Sequence, residues 1–247
     1  MWTTARYRST SLFSLRPALS TASGAQSLLV PTPFAIKMAL VNVAIQRFGL
    51  PTLVRWWPII RGLDIALDVP EFVVVNKTFI KIQRKTDLPK QKGIDKDAFI
   101  TEKLHEGKWP LSPTIAFREF VQFDGDFGIA LHTEEWQPDI PLATLLALVN
   151  YFGKRGGFFQ LQSPPEIVDA VDRRWTLLTQ PASTFPINGT LQMLDDCGAN
   201  LTWEHVDVFS SKSIALGGKE RVLQPIVLPY ELRRSSYRYS LYERIDV

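Results

Sequence analysis

The chain has 247 residues, of which 45% are hydrophobic and 21% charged, and a formal net charge of +3. This composition excludes disorder throughout and suits one large domain, or one domain with an appendage. The single cysteine, Cys197, excludes an intramolecular disulfide and fits a reducing compartment. No Cys/His cluster has metal-ligand spacing, and the longest apolar windows, 34–45 and 142–152, fall short of the roughly 20 residues of a membrane helix. No metal, cofactor or membrane contact is therefore expected.

Charge is unevenly spread. Arg6, Arg8, Arg16, Lys37, Arg47, Arg55 and Arg61 precede the first acid, Asp64, so residues 1–63 are +7 and the remainder −4. An Arg- and Ser-rich start without acids has the composition of a mitochondrial presequence. The alternation of Arg6, Arg8, Thr10, Leu12, Ser14 and Arg16 against Tyr7, Ser9, Ser11, Phe13 and Leu15 instead predicts a strand. Its basic face is either a polyanion surface or a solvated sheet face.

A helix is predicted over 33–48, with Thr32 as cap, Pro33 in the first turn, Phe34, Met38, Val41 and Ile45 at helical spacing, and Gly49 as stop. Lys37 near its start opposes the helix dipole, a small cost that an anionic ligand relieves; as a solvated lysine it needs no partner. The stretch EFVVVNKTFIKIQRK after Pro70 is expected to be a strand with Val74, Ile80 and Ile82 on one face and Lys77, Lys81 and Lys85 on the other. A polar, lysine-rich insertion follows at about 84–114, with Trp109 near its end. So long an excursion is functional, disordered or merely solvated.

TIAFREFVQFDGDFGIALHT alternates Ile115, Phe117, Val121 and Phe123 against Thr114, Arg118 and Gln122, and Asp124-Gly125-Asp126 predicts a hairpin with Phe127–His132. A buried helix is expected from Pro141 to about Phe152, apolar almost all round. A glycine-rich loop, GKRGG at Gly153–Gly157, and a short strand, FFQLQ, come next. The order gives an α+β fold: a ferredoxin-like (RRM-like) βαββαβ domain over 1–163 with a thumb-like insertion, and a mainly β C-terminal extension over 164–247. The extension holds a helix candidate in SPPEIVDAVDRRW, a terminal strand RYSLYERI, and a second basic and aromatic cluster of Arg233, Arg234, Arg238, Tyr237 and Tyr239. That cluster contacts RNA or a neighbouring subunit, or is a solvated edge strand.

The loop has its own chemistry. Gly153, Gly156 and Gly157 permit positive φ and close approach, successive N–H groups can form an anion nest, and Lys154 and Arg155 add charge. It is no P-loop, because GxxxxGK[ST] is absent and the loop follows a helix. RNA suits it better, with Phe158 and Phe159 either stacking on bases or filling a core.

A glycine-rich loop in this position resembles the RAMP superfamily of CRISPR-associated RNA-binding proteins. SLLVPTPFAIKMALVNVA after a basic strand looks like the first helix of the Cas five subunits of class 1 effector complexes, and the insertion occupies the place of their thumb. The resemblance implies a cytoplasmic prokaryotic protein that holds the 5′ handle of crRNA and caps a filament of Cas seven-type backbone subunits. A large subunit and target DNA or RNA would be reached through the complex. The RNA-contacting candidates are Arg6, Arg8, Arg16, Lys37, Lys81, Arg84, Lys85, Trp109, Arg118, Gly153, Lys154, Arg155, Gly156 and Gly157.

Two alternatives stay open. Related RAMP nucleases cut precursor RNA without metal, using histidine, tyrosine and lysine; here His132 and His105 are the candidates, with His205 in WEHVDVF further off. Asp195-Asp196 lacks carboxylate partners at a defined spacing and is expected to be a turn. The other alternative is a non-RNA assembly factor with an N-terminal targeting segment. Deleting residues 2–20 separates the cases, because a presequence is dispensable for the fold and a sheet strand is not.

Overall fold

The computed structural model describes residues 1–20, 26–91, 93, 95–133, 139–183 and 185–245. The targeting-segment reading and the insertion both include positions outside that set. In chain order the elements are β1 (Trp2–Ser9), α1 (Pro33–Phe48), α2 (Leu50–Gly62), β2 (Asp64–Asp68), β3 (Phe72–Lys85), α3 (Lys96–His105), β4 (Leu111–Asp124) and β5 (Asp126–His132). They continue with α4 (Leu142–Leu148), β6 (Phe159–Leu161), β7 (Glu166–Val168), β8 (Trp175–Leu177), β9 (Thr190–Cys197), α5 (Trp203–Val206), β10 (Arg221–Leu228), β11 (Tyr230–Ser235) and β12 (Tyr239–Arg244). The fold is mixed α and β with antiparallel sheets.

The first sheet runs β6-β1-β5-β2-β8, with β7 also on β1. Ala5 and Tyr7 point to the helical side and are buried, and Arg6 and Arg8 lie on the other, exposed side. The basic strand is shorter than expected: β1 stops at Ser9, and beyond it only Phe13 and Leu15 make single bridges, to Val121 and Leu28. Both side chains are buried, so the alternation over 6–16 reflects a sheet strand followed by a segment that crosses toward β4.

Helix α1 matches its sequence signals. Thr32 Oγ1 accepts from Ala35 N at 3.1 Å, Gly49 ends the helix at φ 80°, and Ile36, Leu40, Val43 and Ala44 bury one face. Helix α2 was not signalled, although Leu53, Trp56, Trp57 and Ile60 bury one side of it. Helix α4 is shorter and more one-sided than the all-round burial expected, with Leu145 and Leu146 buried and Leu148 exposed. Tyr7, Phe127, Phe152 and Phe159 form a ring cluster with centroids 5.2–6.0 Å apart between β1, β5 and β6. The buried Tyr7 hydroxyl donates to Leu146 O at 2.6 Å, tying β1 to α4.

Three strand expectations are corrected. Phe72–Lys85 and Leu111–Asp124 do not join the first sheet; they form a separate sheet in the order β11-β12-β3-β4, and the short β2 takes the place next to β5. The Asp124-Gly125-Asp126 turn is therefore no hairpin. At Gly125, φ 108°, the chain passes from β4 in one sheet to β5 in the other. At the base of β3 the buried residues are Val73 and Val75, opposite Phe123 and Val121, rather than Val74. Beyond that base β3 and β4 extend as an arm, and α3 lies at its far end.

The C-terminal residues add strands to both sheets. SPPEIVDAVDRRW is not helical: it holds β7 on β1 and leads to β8 on β2. β12 pairs with β3, and β9 with β10 in a third sheet. Asp195 and Asp196 lie in β9 and are buried, not in a turn. Asp195 Oδ2 accepts from Arg221 Nε at 2.6 Å, and Asp196 receives Lys37 from α1. No helix among the described residues is long and apolar enough to cross a membrane.

Candidate nucleic-acid interface

The loop 153–157 joins α4 to β6. Tyr151 bridges Phe158, and the segment between them projects Lys154 and Arg155 into solvent. Neither cation pairs with a carboxylate among the described residues, while the Arg155 guanidinium stands 6.0 Å from the Tyr151 ring centroid. Gly153 and Gly156 have φ of 71° and 109°, backbone that side-chain-bearing residues rarely adopt. At Gly157 the constraint is space: a Cβ there would meet Phe13 Cβ at 2.7 Å.

The loop is stapled to the end of β1. The Ser11 hydroxyl donates to Gly156 O at 3.0 Å and accepts from Phe158 N at 3.1 Å, and Thr10 N donates to Phe158 O at 3.0 Å. Phe13 exchanges backbone hydrogen bonds of 3.0 and 2.7 Å with Val121 at the base of the arm. One continuous strip thus runs from the two free cations through residues 10–13 to the arm. Phe159 is buried in the ring cluster and belongs to the core, whereas Phe158 is 47% exposed. Nothing in the sequence singled out Ser11.

Lys81, Arg84 and Lys85 are exposed on the arm and free of ion pairs among the described residues. Lys81 stands opposite Ile115 and Lys85 opposite Leu111, beside Phe79 and Phe117, whose rings meet edge-on at 5.4 Å. Ile115 and Phe79 are largely exposed, so the expected apolar face of this hairpin is buried only at its base. Trp109 is half-buried between α3 and β4, and Arg118, also half-buried, donates to Phe117 O at 2.9 Å.

The remaining candidates are held elsewhere. Arg6 pairs with Asp68 at 2.8 Å and Arg8 with Asp126 at 2.7 Å, although both stay exposed, and Arg16 donates to Ser20 O at 2.9 Å. Lys37 is corrected outright: it is 2% exposed, and its ammonium donates to Arg61 O at 2.8 Å and lies 2.8 Å from Asp196 Oδ1. The anion that relieves the helix dipole belongs to the chain itself.

The two histidines offered for catalysis are far apart. His105 ends α3 beyond the arm's far end, whereas His132 sits at the end of β5 beside Trp2, ring centroids 5.0 Å apart. The arm alone spans roughly 40 Å of strand. His132 Nδ1 is 3.5 Å from Asp64 Oδ2, outside a good hydrogen bond, and has no hydrogen-bond partner among the described residues. His205 Nδ1 is taken up in capping α5, accepting from Thr202 N at 3.2 Å. No group of three or more His, Cys, Asp or Glu capable of holding a metal occurs among the described residues.

No protein-family model matches the chain, and no curated protein sequence matches it. Two solved structures that resemble it are CRISPR proteins. One is a CRISPR protein from Archaeoglobus fulgidus, with a TM-score of 0.38 and 10% identity over 99% of this chain and 92% of that one. The other is a chain of a CRISPR RNA-guided surveillance complex, with a TM-score of 0.44 and 16% identity over 92% and 91%. At such scores neither likeness assigns a role to any residue here.

Proposed function

We propose that the chain is an RNA-binding subunit of a CRISPR class 1 ribonucleoprotein. In this reading it is a Cas five-type protein that grips the 5′ handle of crRNA and abuts a Cas seven-type backbone subunit. The observation that carries the reading is the stapled loop, with Lys154 and Arg155 unpaired and backed by two positive-φ glycines. Two cations without internal anions, beside exposed backbone, form a phosphate cradle. A ferredoxin-like core is supported by the order β6-β1-β5-β2, in which the four strands of a βαββαβ unit stand as fourth, first, third and second. The arm, with Lys81, Arg84 and Lys85 beside Phe79 and Phe117, fills the role of the thumb. Residues 1–163 make the RNA-gripping unit and 164–247 an extension that braces it.

Binding without cleavage is the favoured form, since His105 and His132 cannot act on one phosphate across the length of the arm. Incubated with end-labelled single-stranded RNA in the presence of chelator, the protein is expected to shift the RNA and leave it full length. No shift at low salt removes the reading. Cleavage abolished by His132→Ala replaces it with the processing nuclease.

A further inference from the structure

The edge of the first sheet farthest from the glycine loop carries a second cationic site. Arg6, Gly128, Asp68 and Trp175 occupy one row across β1, β5, β2 and β8. The indole lies against the Gly128 backbone, where a Cβ would come within 2.6 Å of Trp175 Cη2, and the Arg6 guanidinium is 5.8 Å from the indole centroid. Asp68, 3% exposed, faces three guanidinium groups: Arg6 at 2.8 Å, Arg244 at 2.7 Å and Arg174 at 3.6 Å. One carboxylate cannot neutralise three cations. The neighbouring Arg173 is exposed and pairs with no carboxylate among the described residues.

Arg173, Arg174 and Arg244 open onto a cavity of about 780 Å³, walled also by Trp175, Gln180 and Ile226. Asp172 lies on its rim, but its Oδ1 accepts from Arg174 N at 2.8 Å and so faces its own backbone. The volume falls in the range of small-ligand sites, about 300–1,000 Å³. Excess guanidinium charge selects a phosphate, which arginine grips with two parallel N–H donors. An indole, an amide and an aliphatic wall beside it suit a base.

We propose that this cavity binds one nucleotide of a single-stranded RNA, the phosphate on Arg173 and Arg174 and the base against Trp175 and the half-buried Val227. The choice of RNA rests on the proposed function; the site is separate from the glycine loop. The sheet is five strands wide, β6-β1-β5-β2-β8, so its two edges lie roughly 20 Å apart at the usual strand spacing. A strand held at the loop is thereby gripped a second time across the sheet.

The test uses the full chain, uridine 5′-monophosphate by calorimetry and a labelled uridine decamer by anisotropy. Arg173→Glu, at an exposed and unpaired position, is expected to keep its melting temperature and weaken both ligands by about tenfold or more. The loop variant Lys154→Ala with Arg155→Ala is expected to weaken binding of the decamer. Uridine without phosphate is expected not to bind. If monophosphate does not bind, or binds Arg173→Glu as well as the parent, the cavity proposal is overturned. Loop-dependent decamer binding in that case leaves the proposed function standing. If monophosphate binding depends on Arg173 but the decamer is indifferent to the loop variant, the cavity stands and the loop reading falls.

Discussion

Replacing Lys37 by methionine is expected to lower the free energy of unfolding by about 3–5 kcal/mol, the cost of leaving a buried charge without its partner. Lys37 and Asp196 are 2% and 7% exposed at the side chain and belong to α1 and β9, so their contact clamps the C-terminal strands to the first helix. Burial pushes the Asp196 carboxyl above the usual carboxylate range, although Lys37 and the Cys197 N–H pull it down. Methionine removes the larger of those two counterweights. Adding Asp196→Asn is expected to restore most of the loss, because an amide oxygen still accepts from Cys197 N, now 2.6 Å away, and no charge is stranded. Cys197 supplies an independent readout. Burial drives its thiol up to about 12, so it resists alkylation while the clamp is closed, and labelling is expected to accelerate in Lys37→Met. Urea melts and labelling rates unchanged in the single variant contradict the clamp.

The loop glycines are expected to separate into two kinds. Gly157→Val brings a Cβ within 2.7 Å of Phe13 Cβ and 3.4 Å of its Cα, so residues 10–13 must shift, at a cost of about 1–3 kcal/mol. That shift is expected to break the Ser11 staple, lowering the melting temperature and, on the proposed function, the affinity for RNA. Gly156→Ala meets nothing within 4 Å; its cost is the positive φ, of order 1 kcal/mol, and the fold survives. Equal melting losses for the two would contradict the packing described for Gly157.

How far the sequence speaks depends on the range of the forces involved. Helix α1 was legible because Thr32, Pro33 and Gly49 act within a turn of their positions. Helix α2 was hidden by Pro51 and Pro58, the second inside the helix, where the gain from burying Trp56, Trp57 and Ile60 outweighs a lost hydrogen bond. Strand β2 is five residues long and almost wholly buried, so it shows no alternation between apolar and polar faces. The change of sheet at Gly125 uses the same residues as a hairpin turn, and only long-range pairing tells the two apart. In the candidate site, the glycine loop was visible because its chemistry is local. The partner of Lys37 lies 159 residues away, and the guanidinium groups around Asp68 come from three distant segments, so neither left a spacing to read.

The claim that Lys154 and Arg155 hold RNA phosphates is tested most directly by RNA affinity across a salt series. For the parent and the Lys154→Ala, Arg155→Ala protein, log affinity is plotted against log salt concentration, with thermal melts alongside. Loss of two phosphate contacts is expected to reduce the slope by about 1.4, at roughly 0.7 per contact for a single strand, with the melting temperature unchanged. An unaltered slope and affinity in the double variant would mean that the loop is only a turn between α4 and β6.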